Sequence, residues 1–351
     1  LLAGLGIGLS PLGLGMFGGA TPALASGTAL PAVLGRPATM SRLAQSAALL
    51  TAARAGRRLL VAGERGIVLW SDDQGQQWTQ ARVPVQVSLT AMGFANEREG
   101  WAAGHFGVLL RTQDAGQTWS LAMDGTRAAQ LLLQGASDDA QRRAAQRQIE
   151  QGADKPFFDL ALSDGRLLAV GAYGLAVEGR ADSSSATFTA LGTRLPNPRQ
   201  LHLYAVRAFG SRVFMAGEQG LLLRSVDGGA NFETLPSPYK GSFFGLLLLG
   251  DSTVLAYGLR GNIWRSPDHG ATWQQVPNPS SQSLGAGITL NDGSVVLLAQ
   301  GGDLLISRNQ AQSFQRIAAT QPFPAATLVA AADERQLVLG GLRGIQRHTL
   351  N

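Results

Sequence analysis

The 351-residue chain has no cysteine. Disulfides, thiolate metal sites, a cysteine nucleophile and a lipid-modified cysteine anchor are therefore excluded. Charge is scarce: 15% of residues carry it, and only Lys155 and Lys240 among the 29 basic residues are lysine. A net charge of +5 could suit nucleic acid. The chain nevertheless has no basic run, no RNA-binding aromatic motif and no zinc-finger spacing, so scattered arginines read as solvated strand positions or ion-pair partners. No nucleic-acid partner is expected. His105, His202, His269 and His348 show no ligand spacing, and neither metal nor cofactor is expected. What is abundant is apolar residues (45%) and 45 glycines without a collagen period. The first supply a core and the second must serve turns.

Residues 1–20 are apolar and uncharged, and Thr21-Pro22-Ala23-Leu24-Ala25-Ser26 follows. An apolar stretch ending in Ala-x-Ala reads as a secretory signal, here incomplete, over residues 1–25. A membrane anchor is the alternative, weakened by interspersed glycines and Pro11. The expectation is an exported, periplasmic domain over 26–351, monomeric and without an integral span after cleavage.

Internal similarity dominates the remainder. The unit is Gly-x-x-Gly, an apolar run, then Ser/Thr-x-Asp-x-Gly-x-x-Trp. Full boxes are Ser71/Asp73/Gly75/Trp78, Thr112/Asp114/Gly116/Trp119, Ser225/Asp227/Gly229/Phe232 and Ser266/Asp268/Gly270/Trp273. A worn copy keeps Ser307, Asn309 and Phe314, with Ala311 replacing glycine. The second glycines stand at 66, 107, 174, 220, 261, 302 and 344, so successive intervals are 41, 67, 46, 41, 41 and 42. Short apolar runs between turn residues predict strands. In the box, the Asp and the Ser/Thr hydroxyl can take backbone N–H groups while glycine turns left-handed. The aromatic would then fill the gap between sheets.

Seven such units predict an all-β, seven-bladed propeller. The last unit ends one strand short, and roughly 31–41 is expected to supply the missing outer strand. The long interval predicts a helical insertion at about 122–158, capped by Asp138 and ending at Gly152.

The repeated box is the Asp-box, or BNR repeat, of sialidases, xyloglucan hydrolases, sortilin-type receptors and photosystem II assembly/stability factors. Seven units behind an export signal most resemble the last group and its relatives in non-photosynthetic bacteria. That resemblance implies a non-enzymatic propeller that helps membrane-associated complexes assemble, through an arginine-lined face. The matching positions are Arg65, Arg260 and Arg343. In a host without a photosystem, a transporter complex is one candidate partner.

Topology places the boxes between third and fourth strands. The Gly-x-x-Gly hairpins and blade links therefore share the opposite face, where loops vary over a rigid scaffold. Glu64, His105, Tyr173 and Glu218 join the three arginines there as candidate partner-binding residues. No catalytic residue is assigned. The competing reading is a glycan-binding or sialidase-like propeller, with Glu64, Glu218 and Asp159 as its candidate carboxylates, though these read more simply as turn or ion-pair groups. Against it stand four tyrosines in all and seven units rather than six.

Overall fold

A computed structural model describes residues 31–152, 154–181, 187–317 and 323–350, so the expected signal segment lies outside the described residues. Seven antiparallel sheets follow one another along the chain, and their inner strands pack around a common axis. Blade 1 is β1–β4 (Leu49–Ala55, Arg58–Gly63, Val68–Ser71, Thr79–Gln80) and blade 2 is β5–β8 (Leu89–Phe94, Gly100–Gly104, Leu109–Thr112, Ser120–Met123). Helices α1 (Gly125–Gln134) and α2 (Asp139–Glu150) then precede blade 3, β9–β12 (Phe157–Ser163, Arg166–Gly171, Ala176–Arg180, Phe188–Ala190). Blade 4 is β13–β16 (Leu203–Phe209, Arg212–Gly217, Leu222–Ser225, Glu233–Thr234). Blade 5 is β17–β20 (Phe243–Leu249, Thr253–Gly258, Ile263–Ser266, Gln274–Gln275). Blade 6 is β21–β24 (Leu284–Thr289, Val295–Ala299, Leu304–Ser307, Gln315–Ile317). Blade 7 has three strands among the described residues, β25–β27 (Ala325–Ala330, Gln336–Gly341, Gly344–Thr349).

The two glycines of the hairpin motif have different causes. Gly63 is extended, but a Cβ there would lie 1.9 Å from the Ala48 carbonyl oxygen. Close approach of two backbones demands its bare Cα. Gly66 is left-handed at φ +73°, the conformation that closes the turn. Between them Arg65, and its counterparts Phe106, Tyr173, Gln219 and Arg260, are also left-handed (φ 53–57°), which throws each side chain outward on a short 3-10 turn.

The box turns are held by a repeated hydrogen-bond set. The Ser266 hydroxyl donates to Asp268 Oδ1 at 2.8 Å and accepts from the Gly270 amide at 2.7 Å, while Asp268 accepts from the Thr272 amide and hydroxyl. In the other full boxes the amides of Gly75, Gly116 and Gly229 donate in the same way to the hydroxyls of Ser71, Thr112 and Ser225, at 2.8–2.9 Å. These three glycines are left-handed (φ 81–85°) and buried. A Cβ on Gly116 would lie 2.2 Å from Leu60 Cδ2 and one on Gly75 2.9 Å from Val338 Cγ2, whereas Gly229 has room and is required by its backbone angle alone. Asn309 substitutes for the carboxylate in the worn copy, accepting from Ser307 Oγ and the Ser313 amide.

The Thr272 hydroxyl first, then its amide, pulls the Asp268 pKa down to about 2, and the Asn231 amide does the same for Asp227. A carboxyl whose folded pKa lies below its unfolded value stabilises the fold above the unfolded pKa and loses that contribution as pH falls. Thermal stability is therefore expected to drop between about pH 4 and about pH 2. An Asp227→Asn/Asp268→Asn variant should show a smaller drop across that window in a calorimetric pH series.

Arginine joins one blade to the next on the box face. Arg58 donates to Ala115 O at 3.2 Å, Arg224 to His269 O at 2.9 Å and Arg265 to Gln310 O at 2.8 Å; Arg166 bonds Gly228 O. Each acceptor is the first of two consecutive left-handed residues in the next blade's box loop. Arg58 also grips Asp72 with two bonds of 2.7 Å. These guanidinium forks are occupied internally.

Two expectations need correction. Residues 31–41 do not complete blade 7. The Ala38 amide donates to Val83 O, Val33 O accepts from the Gln86 amide, and Leu34 and Ala38 enter the core between blades 1 and 2. Burying those apolar groups outcompetes strand pairing at the distant edge. The insertion also holds two helices, not one. Asp138 caps α2 by accepting from the Gln141 amide, and Asp124 caps α1 by accepting from the Arg127 amide.

Candidate functional face

All seven inner strands slip register at their second residue. Such a bulge re-aims the extra side chain. The seven bulged residues, Leu50, Thr90, Phe158, Tyr204, Phe244, Gly285 and Ala326, all line the axial channel, a cavity of about 190 Å³. They sit at the strand ends nearest the blade links, hence at the mouth on the Gly-x-x-Gly face. The ring is lopsided: three consecutive aromatics on blades 3–5, then Gly285 and Ala326 on blades 6 and 7.

The aromatic half continues outward. Phe158 and Tyr204 lie 5.4 Å apart, as do Tyr204 and Phe244. His202 contacts Phe158, Tyr204 and Tyr173, the last with ring centroids 4.6 Å apart. The Tyr173 amide donates to His202 Nδ1 at 2.8 Å, Lys155 Nζ lies over the Tyr173 ring, and Tyr173 is 53% exposed. Burial, with Glu218 nearby, raises the Tyr204 phenol pKa.

Tyr173 also borders a groove of about 540 Å³ between α2 (Ala144, Arg147) and the blade 3–4 link (Pro196, Asn197, Pro198). Prolines stiffen that link, and Asn197 anchors it by bonding both the amide and the carbonyl of Leu201. Helix α1 packs on the His105–Gly107 hairpin, where Gly107 and Gly125 touch, so the insertion stands on this face.

Deeper in the channel, Arg207 Nη1 meets Asp159 Oδ2 at 2.5 Å, and Asp159 also accepts from the Val206 and Leu160 amides. Tyr257 reaches the axis from the second strand of blade 5, past Gly245 and Gly287 where a Cβ would strike its ring. Burial pushes its phenol up to about 12.

Arg65, Arg260 and Arg343 are exposed on the hairpins of blades 1, 5 and 7, and none has a carboxylate partner among the described residues. Arg343 lies on a tighter turn, Leu342-Arg343, than the other two. They stand on three different blades, of which 7 and 1 are neighbours. His105 is exposed on blade 2. Glu64 Oε1 accepts from the Ala48 amide at 3.0 Å and Glu218 Oε2 from the His202 amide at 2.9 Å, so both carboxylates hold backbone. Of the box residues, Trp78, Trp119, Phe232 and Trp273 pack between neighbouring sheets. The box glycines Gly75, Gly116, Gly229 and Gly270 are buried beneath their own loops and offer a partner no surface. Sequence reading missed Phe158, Tyr204, Phe244 and His202 as a group. Their common signal is position: each of the first three is second in its inner strand.

The family model of the photosynthesis system II assembly factor YCF48 matches residues 53–127. No curated protein matches by sequence. Among solved structures, "YCF48 bound to D1 peptide" aligns at TM-score 0.64 and 16% identity over 87% of this chain and 94% of that one. YCF48 from Cyanidioschyzon merolae aligns at 0.53 and 16% identity over 75% and 85%. The WD40 propeller domain of Doa1 aligns at 0.62 and 10% identity over 90% and 95%. The chain is a seven-bladed β-propeller that resembles the photosystem II assembly factors.

Proposed function

We propose that this propeller is an exported, non-catalytic protein-binding factor that assists assembly of a membrane-associated complex. Its Gly-x-x-Gly face is the binding surface. The observation that carries this reading is the grouping of exposed guanidinium and aromatic side chains on that face. On the box face Arg58, Arg166, Arg224 and Arg265 are committed to the next blade's box loop, and Arg58 and Arg224 to a carboxylate as well, while Arg57 and Arg335 are exposed there. On the opposite face Arg65, Arg260 and Arg343 carry no internal partner among the described residues, beside an aromatic half-ring and a stiff-walled groove. Unpaired guanidinium and exposed aromatic groups are the side chains that dominate protein interfaces. A structurally similar protein supports the class: one YCF48 holds a D1 peptide. A glycosidase would need free carboxylates, whereas Glu64 and Glu218 each bind an amide.

The test is affinity capture from periplasm and solubilised membranes. Wild-type protein should recover a partner that an Arg65→Ala/Arg260→Ala/Arg343→Ala variant loses. Identical recovery by both would end the arginine-face proposal.

A further inference from the structure

Blade 7 differs from the other six at its rim. Elsewhere the third strand has four or five residues and is covered by a fourth. β27 runs six residues, pairs with β26 along its length, and has no covering strand among the described residues. The Leu350 amide bonds Arg335 O, so by antiparallel alternation the amides of His348 and Gln346 also face β26. The N–H and C=O groups of Ile345, Arg347 and Thr349 consequently point outward. An uncovered edge of this length is a template for another strand.

Its surroundings select what would add. The 3-10 turn Ala44–Ser46 packs against β27, and the segment leading into it exposes Met40 (60%) and Leu43 (75%). Arg42, Arg343 and Arg347 are exposed, and neither 31–50 nor 341–351 contains Asp or Glu. Gln346 Oε1 and His348 Nε2 are buried without a hydrogen-bond partner on the same strand. Buried orphans of this kind call for a missing donor or acceptor.

We propose that β27 is a docking edge for an extended, acidic segment of a partner protein, which adds to blade 7 as its fourth strand. Main-chain bonds to Ile345, Arg347 and Thr349 would hold it, its carboxylates would meet the arginines, and Met40 and Leu43 would cover its apolar residues. A second copy of the chain fits poorly, because an antiparallel β27 pair centred on Arg347 sets that arginine against its twin. Residues 1–30 fit poorly too, since they carry no acidic group.

The test uses the full chain and a blocked peptide, Thr-Val-Glu-Val-Thr-Val-Glu, with hydrogen exchange read at single amides. The peptide should slow exchange at Ile345, Arg347 and Thr349 about tenfold, and a lysine-for-glutamate peptide should bind about tenfold more weakly. Arg347→Pro removes an outward N–H while leaving the β26 ladder, and should abolish the protection. Arg347→Glu keeps every backbone group and should reverse the preference between peptides. Overturning results are absence of protection, protection that survives in Arg347→Pro, or outward amides already protected without peptide. The last would mean that the chain itself or a second copy occupies the edge, and sedimentation would tell the two apart. Arg343 borders both surfaces, but the Arg347 variants leave Arg65, Arg260 and Arg343 unchanged, so this proposal and the functional one fail distinguishably.

Discussion

Gly63→Ala is expected to destabilise the protein by about 3 kcal/mol, the upper part of the range for forcing atoms into a filled space. The new Cβ would stand 1.9 Å from Ala48 O and 2.7 Å from Leu49 Cα, both backbone atoms of β1 or its approach. A side chain could swing away, whereas here the start of an inner strand must move. Since that strand start carries the bulge, the variant should also displace Leu50, the blade 1 residue at the channel mouth. Gly210→Ala is the control. It is equally bare at φ +57° but has nothing within 4 Å of the added carbon, so only backbone strain of about 1 kcal/mol applies. Urea titrations of the two variants separate crowding from strain; equal costs would mean that close approach is not what Gly63 serves.

Arg207→Met should cost about 3 kcal/mol, the low end for breaking a buried ion pair, because the side chain keeps 32% exposure toward the channel. Asp159 would retain its bonds to the Val206 and Leu160 amides but lose the cation at 2.5 Å. A double variant with Asp159→Asn should recover much of the loss, since no uncompensated charge remains. Failure of the double variant to recover stability would show that packing, not charge, is what Arg207 contributes.

The repeat was legible because its cause is local. Glycines at fixed spacing answer a turn and a backbone contact, and Ser/Thr-x-Asp-x-Gly bonds within its own loop. Blade number and the face opposite the boxes follow from those alone. What the box glycines pack against was not legible, since Leu60 and Val338, which close over Gly116 and Gly75, come from neighbouring blades. Asp138 betrayed α2 through its cap. The Asp124 cap was overlooked, because Leu131-Leu132-Leu133 reads equally well as strand until tertiary packing buries Leu131.

The remainder depends on pairing between segments. A bulge is a mismatch between two strands, so no single strand shows that Phe158, Tyr204 and Phe244 are turned to one rim. The arginines divide in the same way: Arg58, Arg224 and Arg265 resemble Arg65 and Arg260 in sequence, and only the neighbouring blade's carbonyls mark the first three as structural. For residues 31–41, the one-strand deficit of the last unit suggested a closing strand, but the buried contacts of Leu34 and Ala38 placed the segment elsewhere.

Photo-crosslinking in cells tests the central claim most directly. A photoreactive residue at Tyr173 or Arg260, on the Gly-x-x-Gly face, should trap the same partner protein. One at Val226, 59% exposed in a box loop on the other face, should trap none. Crosslinks from Val226 alone, or the same partner from both faces, would contradict it.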